Sequence, residues 1–329
     1  MTNSKKYKLA FIGGDARQLI AASEFRRLGY ETAIYGFGGD SVTPPRHAVD
    51  SLCCSSCTAR PYEIVGEYAP DPKDMASTPD EALVGADAVI LPLPASSDGI
   101  HVSMPFSGGK RISFDWLITS MAANGIKALA GGKLPAGFTE ACTESGISVF
   151  DYYESEEFAV ANAVPTAEGA IEIAMHELPI TVNGSSALVI GYGRIGKVLA
   201  RLLHSLGASV TVSARKPRDI DAINACGYTS ANTEALRDAV KKRFDVIFNT
   251  VPHQVIGREV LALLSRGTLI IDLASKPGGV DIDEAERRSM RVIWALSLPG
   301  KVAPVTSGEI IAQTVKIGLD RMLGGCELC

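Results

Sequence analysis

The sequence predicts an α/β protein made of two doubly wound domains with a cleft between them, and three observations carry that expectation. The chain has 329 residues, a length that suits two domains of ordinary size. Short apolar runs alternate with stretches of helical spacing, once before residue 154 and again after residue 181. A Gly-x-Gly-x-x-Gly stretch, Gly191 to Gly196, stands where a strand of the second half gives way to a helix.

In the first half, residues 8–12 form an apolar run that stops at Gly13 and Gly14. Helical spacing follows over 17–28, Gly29 closes it, and 32–35 read as the next strand, a strand–helix–strand unit with a glycine stop. Further strands are expected at 86–91, 127–129 and 147–150, with helices at 114–124 and 138–144. This alternation implies a mainly parallel sheet covered on both faces, in a domain spanning 1–154. Residues 155–180 read as a helical linker. Ser155 can cap it, Glu156 and Glu157 complement its dipole, and Pro165 is expected to break or kink it, with a second helix from near Thr166. Strands of the second domain, 181–300, are expected at 187–190, 209–213, 245–249, 268–272 and 292–294. Helical stretches at 195–206, 219–225, 233–242, 257–264 and 281–288 alternate with them. A last helix over 307–323, in the segment 301–329, is expected to join the two lobes.

Composition narrows the function. The 37 acids outnumber the 32 bases, a net charge of -5, and no basic run occurs, which argues against non-specific nucleic-acid binding. No apolar stretch approaches the ~18 residues that a membrane span needs, so a soluble, cytoplasmic protein is expected. The seven cysteines include Cys53, Cys54 and Cys57 and the terminal Cys326 and Cys329. Two C-x-x-C pairs could supply a zinc site, but they lie far apart in the chain, and reduced thiols without a metal are the reading preferred.

The glycine stretch suits a pyrophosphate. Gly191 permits the tight turn, Gly193 lets backbone N–H groups approach a phosphate, and Gly196 lets the helix pack on the strand, with Arg194 and Ile195 completing the turn. In this Rossmann-like setting an acid about 20 residues on would bind the ribose hydroxyl of NAD. Here Ser213, Arg215 and Lys216 stand there instead, two cations and a hydroxyl that suit the 2′-phosphate of NADP. Other strand ends should face the cofactor, bringing Thr250, Val251, Pro252 and Ala274 to it. His253 is the first candidate for a proton carrier and His101 a second. In the first half Asp15 would repel a phosphate, so that turn is read as facing the cleft with Arg17 free to bind a substrate carboxylate. Ser96 and Lys133 are candidates for the same task, and the loop 298–304 should return to the cleft and offer Lys301. Cations and hydroxyls gathered in this way suit a small anionic substrate.

The D-2-hydroxy-acid dehydrogenases share this layout, but their Asn-Ala-x-Arg-Gly stretch and late Pro-His are missing here. Asp272-Leu273-Ala274 with Gly278-Gly279 is closer to the alanine dehydrogenases and transhydrogenases. A more specific set of stretches runs through nearly the whole chain. The set comprises Gly13-Gly14-Asp15-Ala16-Arg17-Gln18, Leu91-Pro92-Leu93-Pro94 with Asp98-Gly99-Ile100, and Asp151-Tyr152-Tyr153 through Glu168-Gly169-Ala170-Ile171. The glycine turn, Asn249-Thr250-Val251-Pro252, Asp272 to Gly279 and Leu298 to Pro304 complete it. In this set the sequence resembles the dipicolinate synthase A family of spore-forming bacteria, and the resemblance implies NADP-dependent oxidation of the cyclic product of dihydrodipicolinate synthase to pyridine-2,6-dicarboxylate (dipicolinate) in the mother cell of a sporulating bacterium. It also implies a flavoprotein-like partner, dipicolinate synthase B, alongside possible self-association. Two alternatives stay open: another NADP-dependent dehydrogenase of a small amino or keto acid, and a non-catalytic NADP-binding regulatory protein.

Overall fold

The computed structural model describes residues 7–37, 68 and 70–324. The chain divides into two compact units, the first made of Met1–Ala159 with Pro304–Cys329 and the second of Val160–Ala303.

Unit 1 is built on a five-stranded parallel sheet of β1 (Lys8–Ile12), β2 (Glu31–Tyr35), β3 (Ala88–Ile90), β4 (Ala128–Gly131) and β5 (Ser148–Asp151). Its order is β2-β1-β3-β4-β5. Leu9, Ala10, Phe11 and Ile12 are all fully buried rather than alternately so. That is what a strand covered on both faces requires, and it is why these runs read as continuous apolar stretches. Helix α1 (Ala16–Arg27) follows β1 and is capped by the Asp15 side chain, which accepts from the Arg17 amide. Helices α2 (Pro79–Leu83), α3 (Phe114–Ala123) and α4 (Ala136–Glu144) complete the first stretch of chain.

Helix α5 (Glu156–Glu177) carries the chain from unit 1 into unit 2. It runs unbroken through Pro165, so no second helix starts at Thr166, where a break or a kink was expected. Proline removes one backbone donor. Ala167, Ala170, Ile171 and Ala174 hold the helix against the unit 2 core on the far side of that missing bond. Unit 2 has a six-stranded parallel sheet of β6 (Ser186–Ile190), β7 (Ser209–Ala214), β8 (Thr229–Asn232), β9 (Val246–Asn249), β10 (Leu269–Asp272) and β11 (Arg291–Trp294). Its order is β11-β10-β9-β6-β7-β8, the arrangement of the dinucleotide-binding domains, with the switch point between β6 and β9. Strand β8 has no apolar signature. It is an edge strand paired only to β7 and is half exposed, so the hydrophobic pattern that betrays the other strands is missing. Helices α6 (Arg194–Ser205), α7 (Pro217–Ala225), α8 (Leu236–Ala239), α9 (Arg258–Leu261), α10 (Ile282–Arg287) and α11 (Leu298–Val302) surround the sheet. Lys301, expected on a loop, lies on α11.

The last helix, α12 (Pro304–Leu323), falls within unit 1. It crosses α1 closely because Gly308 leaves room for Ile20, whose Cβ would stand 2.6 Å from any side chain begun there. No helix of the described residues is long and apolar enough to cross a membrane.

Candidate functional site

In unit 2 the glycine turn follows β6 at the switch point. Gly191 has a φ of 100°, and a Cβ there would strike the Thr250 hydroxyl. A Cβ on Gly196 would fall on the Gly191 carbonyl, so the helix can approach the strand only because that side chain is absent. Gly193 differs: a Cβ there would meet nothing within 4 Å. Gly193 is also the N-cap of α6 and provides no side-chain hydrogen bond to its first amides. Arg194 and Ile195 begin the helix beside it, exposed and half-buried respectively. An uncapped helix start behind open space fits a pyrophosphate, whose charge the amides and the helix dipole would meet.

Thr250 is fixed beside this turn, its amide and hydroxyl both donating to the Ile190 carbonyl at 3.0 and 2.9 Å. Behind it lies a pair of residues whose role sequence reasoning missed. Asn249 and Asp272 end the neighbouring strands β9 and β10 in register and are both buried. The Asp272 carboxylate accepts from Asn249 Nδ2 at 2.8 Å, from the Ala274 amide at 3.1 Å and from the Gly279 amide at 2.7 Å. Asn249 Nδ2 also donates to the Val251 carbonyl, and its Oδ1 accepts from the Val251 amide. The segments holding Thr250, Val251, Pro252 and Ala274 are thus tied to one buried carboxylate. The available signal was a polar residue closing each of two adjacent apolar strands.

At the end of β7, Arg215 and Lys216 are exposed and enter no ion pair among the described residues. Ser213 is different. It is fully buried and its hydroxyl accepts from Thr233 at 2.9 Å, whereas both cations are exposed. His253 is exposed after β9 and has no hydrogen bond or ion pair among the described residues.

In unit 1 the strand order reverses between β1 and β3, which makes the carboxyl ends of those strands the ligand position for a sheet of this kind. The loops there are stitched together. The Gly14 amide donates to Ser103, the Ser103 amide to Ala95 and the Ala95 amide to Gly132, at 2.8–2.9 Å. Arg17 is present at this edge but is not free. It is buried, and its guanidinium donates to the Asp15 carboxylate at 2.9 and 2.7 Å and to the Leu93 carbonyl. Burial works against its charge, yet the Asp15 carboxylate outweighs that and holds it more firmly protonated. The Asp15 that was expected to keep phosphate away therefore also occupies the arginine. Ser96 is engaged too, its hydroxyl donating to Asp98 at 3.1 Å and accepting from the Gly99 amide at 2.9 Å. Lys133 is exposed with a φ of 56°, a conformation fixed by Asp151, which accepts from the amides of Lys133 and Leu134 at 2.9 and 2.7 Å. Its side chain enters no ion pair among the described residues, unlike that of Arg17. The cysteines at 53–57 and 326–329 lie outside the described residues.

Residues 165–283 match the model of the D-isomer specific 2-hydroxyacid dehydrogenase NAD-binding domain. Unit 2 is accordingly a nicotinamide-dinucleotide domain of an oxidoreductase. Over 309 residues the chain is 30% identical to the A subunit of dipicolinate synthase of Bacillus subtilis strain 168, covering 94% of each protein. The crystal structure of dipicolinate synthase A from Bacillus subtilis superposes with a TM-score of 0.78 at 28% identity, covering 97% of this chain and 98% of that one. Its counterpart from Bacillus halodurans gives 0.77 at 26% identity, with 95% and 97% covered. An identity of this size over nearly the whole length, on the same two-unit fold, means that the chain belongs to the dipicolinate synthase A family.

Proposed function

We propose that the chain oxidises the dihydro-pyridine dicarboxylate made by dihydrodipicolinate synthase to pyridine-2,6-dicarboxylate, with NADP as the oxidant. The observation that carries the reading is the open glycine turn at the switch point of unit 2, in a chain akin to dipicolinate synthase A over 94% of its length. When bound, the nicotinamide supplies the hydride acceptor. The remaining work belongs to the chain. Gly193 and the start of α6 bind the pyrophosphate, while Arg215 and Lys216 meet the 2′-phosphate. Thr250, Val251, Pro252 and Ala274 line the nicotinamide side, held in place by Asp272. Lys133 binds a substrate carboxylate, and Arg17, through its pairing with Asp15, organises the turn after β1 and takes a carboxylate only by exchanging that partner. Aromatisation makes the reaction strongly downhill, so orientation of the ring matters more than the strength of any one acid or base. We place the protein in the mother-cell cytoplasm, working with the flavoprotein-like dipicolinate synthase B.

The test is NADP reduction by the purified chain given freshly made dihydrodipicolinate synthase product, with and without the flavoprotein-like partner. Reduction accompanied by pyridine dicarboxylate is the expected result. Binding of NADP without reduction in either mixture would move the assignment to another small-acid dehydrogenase or to a regulatory protein.

A further inference from the structure

We propose that His101 is the base that takes the ring proton during this oxidation, with Asp98 as the residue that positions it. The inference rests on the functional reading above. Three observations on unit 1 lead to it.

The first is place. His101 stands on the loop that follows β3, at the β1/β3 switch point where sheets of this order hold their ligands. That loop is anchored at the strand ends by the bonds from Gly14 to Ser103, from Ser103 to Ala95 and from Arg17 to Leu93. Within it Ser97 to Ile100 are exposed, His101 is half-buried and Val102 is buried.

The second is orientation. His101 Nδ1 lies 2.8 Å from Asp98 Oδ2. The other oxygen of Asp98 accepts from the amides of Ile100 and His101 at 2.9 and 2.8 Å and from the Ser96 hydroxyl at 3.1 Å. These bonds, those from the His101 and Ile100 amides foremost, hold the Asp98 carboxyl far below the usual carboxylate range. Asp98 is therefore an acceptor only, and Nδ1 must be the nitrogen that carries the hydrogen. The lone pair is left on Nε2, which has no hydrogen-bond partner among the described residues.

The third is rigidity. His101 forms an antiparallel bridge with Ser113. On either side of it the Val102 amide donates to Ile112 at 2.9 Å and the Phe114 amide to Ile100 at 3.0 Å. A solvated histidine on a loop has no need of a carboxylate on one nitrogen and a backbone clamp on both flanks. His253, by contrast, has neither. Among the described residues Asp98 is the one ionised side chain bonded to the imidazole, and Ser113 opposite is uncharged. The next charges along that facing segment are Arg111 and Asp115.

The step balances. The dihydro ring loses a hydride from one ring atom to the oxidised nicotinamide. A proton leaves another ring atom for His101 Nε2, and the electron pair of that broken bond becomes the new ring π bond. The imidazolium then passes its proton to water. The products are the pyridine dicarboxylate, the reduced nicotinamide and one proton.

The experiment compares wild type, His101→Gln, His101→Ala, Asp98→Asn and His253→Ala, each as the full chain with its flavoprotein-like partner. Readouts are kcat, KM, cofactor affinity, melting temperature and pH profile. His101→Gln should lower kcat by about 100-fold or more, the low end for loss of a positioned base, with KM, cofactor affinity and melting temperature unchanged. If His101 is the base, the pH profile of kcat in His101→Gln should lack an acid limb that the wild-type profile is expected to have. Added imidazole should restore turnover to His101→Ala, which has the space for it. Asp98→Asn should lower kcat less and move the acid limb to lower pH, because the imidazolium loses the negative charge beside it. Unchanged kcat in His101→Gln, or an acid limb that survives there and vanishes in His253→Ala, overturns the assignment. If wild type with its partner does not oxidise the dihydro ring at all, the functional reading itself fails, and the wild-type arm tells the two failures apart.

Discussion

Three glycines in one turn answer to different constraints, and the difference can be measured. Gly196 has no room for a Cβ because the Gly191 carbonyl occupies the place, whereas Gly193 faces open space in an extended conformation with φ of -84° that alanine adopts freely. Gly196→Ala should therefore lower stability by about 1–3 kcal/mol, as overpacking usually does, and the melting temperature should fall with it. Gly193→Ala should leave the melt unchanged but weaken cofactor binding roughly tenfold, about 1.4 kcal/mol, since the methyl group stands where the pyrophosphate is proposed to lie. Equal melting losses in both variants would contradict that division. Specificity rests on a neighbouring residue. Arg215→Asp should weaken NADP by about 10- to 100-fold, in keeping with loss of one charge-assisted hydrogen bond, while NAD binding stays the same. A fluorescence titration that found the same change for both cofactors would refute the 2′-phosphate role. The places of these glycines and cations in the fold were legible in the sequence, because their spacing is tied to a strand–turn–helix context. The occupation of Arg17 and Ser96 was not. Whether a cation meets a ligand or its neighbour two residues away depends on side-chain direction, and spacing does not encode that.

At the scale of elements, the interior strands could be read from apolar runs because both of their faces are covered, and the edge strands β5 and β11 because each keeps an apolar pair, Val149-Phe150 and Val292-Ile293. The elements that escaped or differed have identifiable reasons. Strand β8 offers only Thr229, Ser230, Ala231 and Asn232, whose pairing is with one neighbour at an open edge. Helix α5 survives Pro165 through tertiary packing that local propensity cannot register. Helix α10 depends on charge. Glu284 is buried with its carboxylate gripped by Arg287 at 3.0 and 2.8 Å and by Arg288 at 2.7 Å, with Arg258 nearby at 3.5 Å. The hydrogen bonds from Arg287 and then Arg288 hold its carboxyl below the ordinary value of 4.5. A carboxyl depressed in the folded state adds stability above its unfolded value, and that contribution disappears as pH falls through the folded one. Glu284→Gln should accordingly melt lower than wild type at neutral pH, and the gap should close as the pH drops below the ordinary glutamate value. A gap that stayed constant from neutral to acid pH would mean that shape, not charge, secures α10.

On the scale of the whole molecule the chain leaves unit 1 within α5 and returns to it at Pro304, so one unit is continuous in sequence and the other is not. That asymmetry was hidden from periodicity, which detects α12 but not the surface that it covers. Its buried side includes Ile310, Ile311, Val315 and Leu319, and Gly308 and Gly318 bring its backbone against Ile20 and Phe150 of unit 1. Unit 2 has its own sheet, its own core and all of the proposed cofactor contacts, so the fragment 156–303 should fold and bind the nicotinamide cofactor by itself. The fragment 1–303 should retain that binding while unit 1 loses its fixed structure, because removing α12 uncovers apolar surface along α1. At about 25 cal/mol per Å², several such side chains amount to a large share of the 5–15 kcal/mol by which a typical domain is stable. Thermal melts followed by circular dichroism, with a hydrophobic dye reporting exposed core, separate the outcomes. A single native transition in 1–303, with no dye binding, would show that α12 is dispensable to unit 1. Failure of 156–303 to melt cooperatively would show that the two units fold only together. The expected pattern, a sharp unit 2 transition beside a dye-binding unit 1, would explain why cofactor binding can survive damage that abolishes turnover.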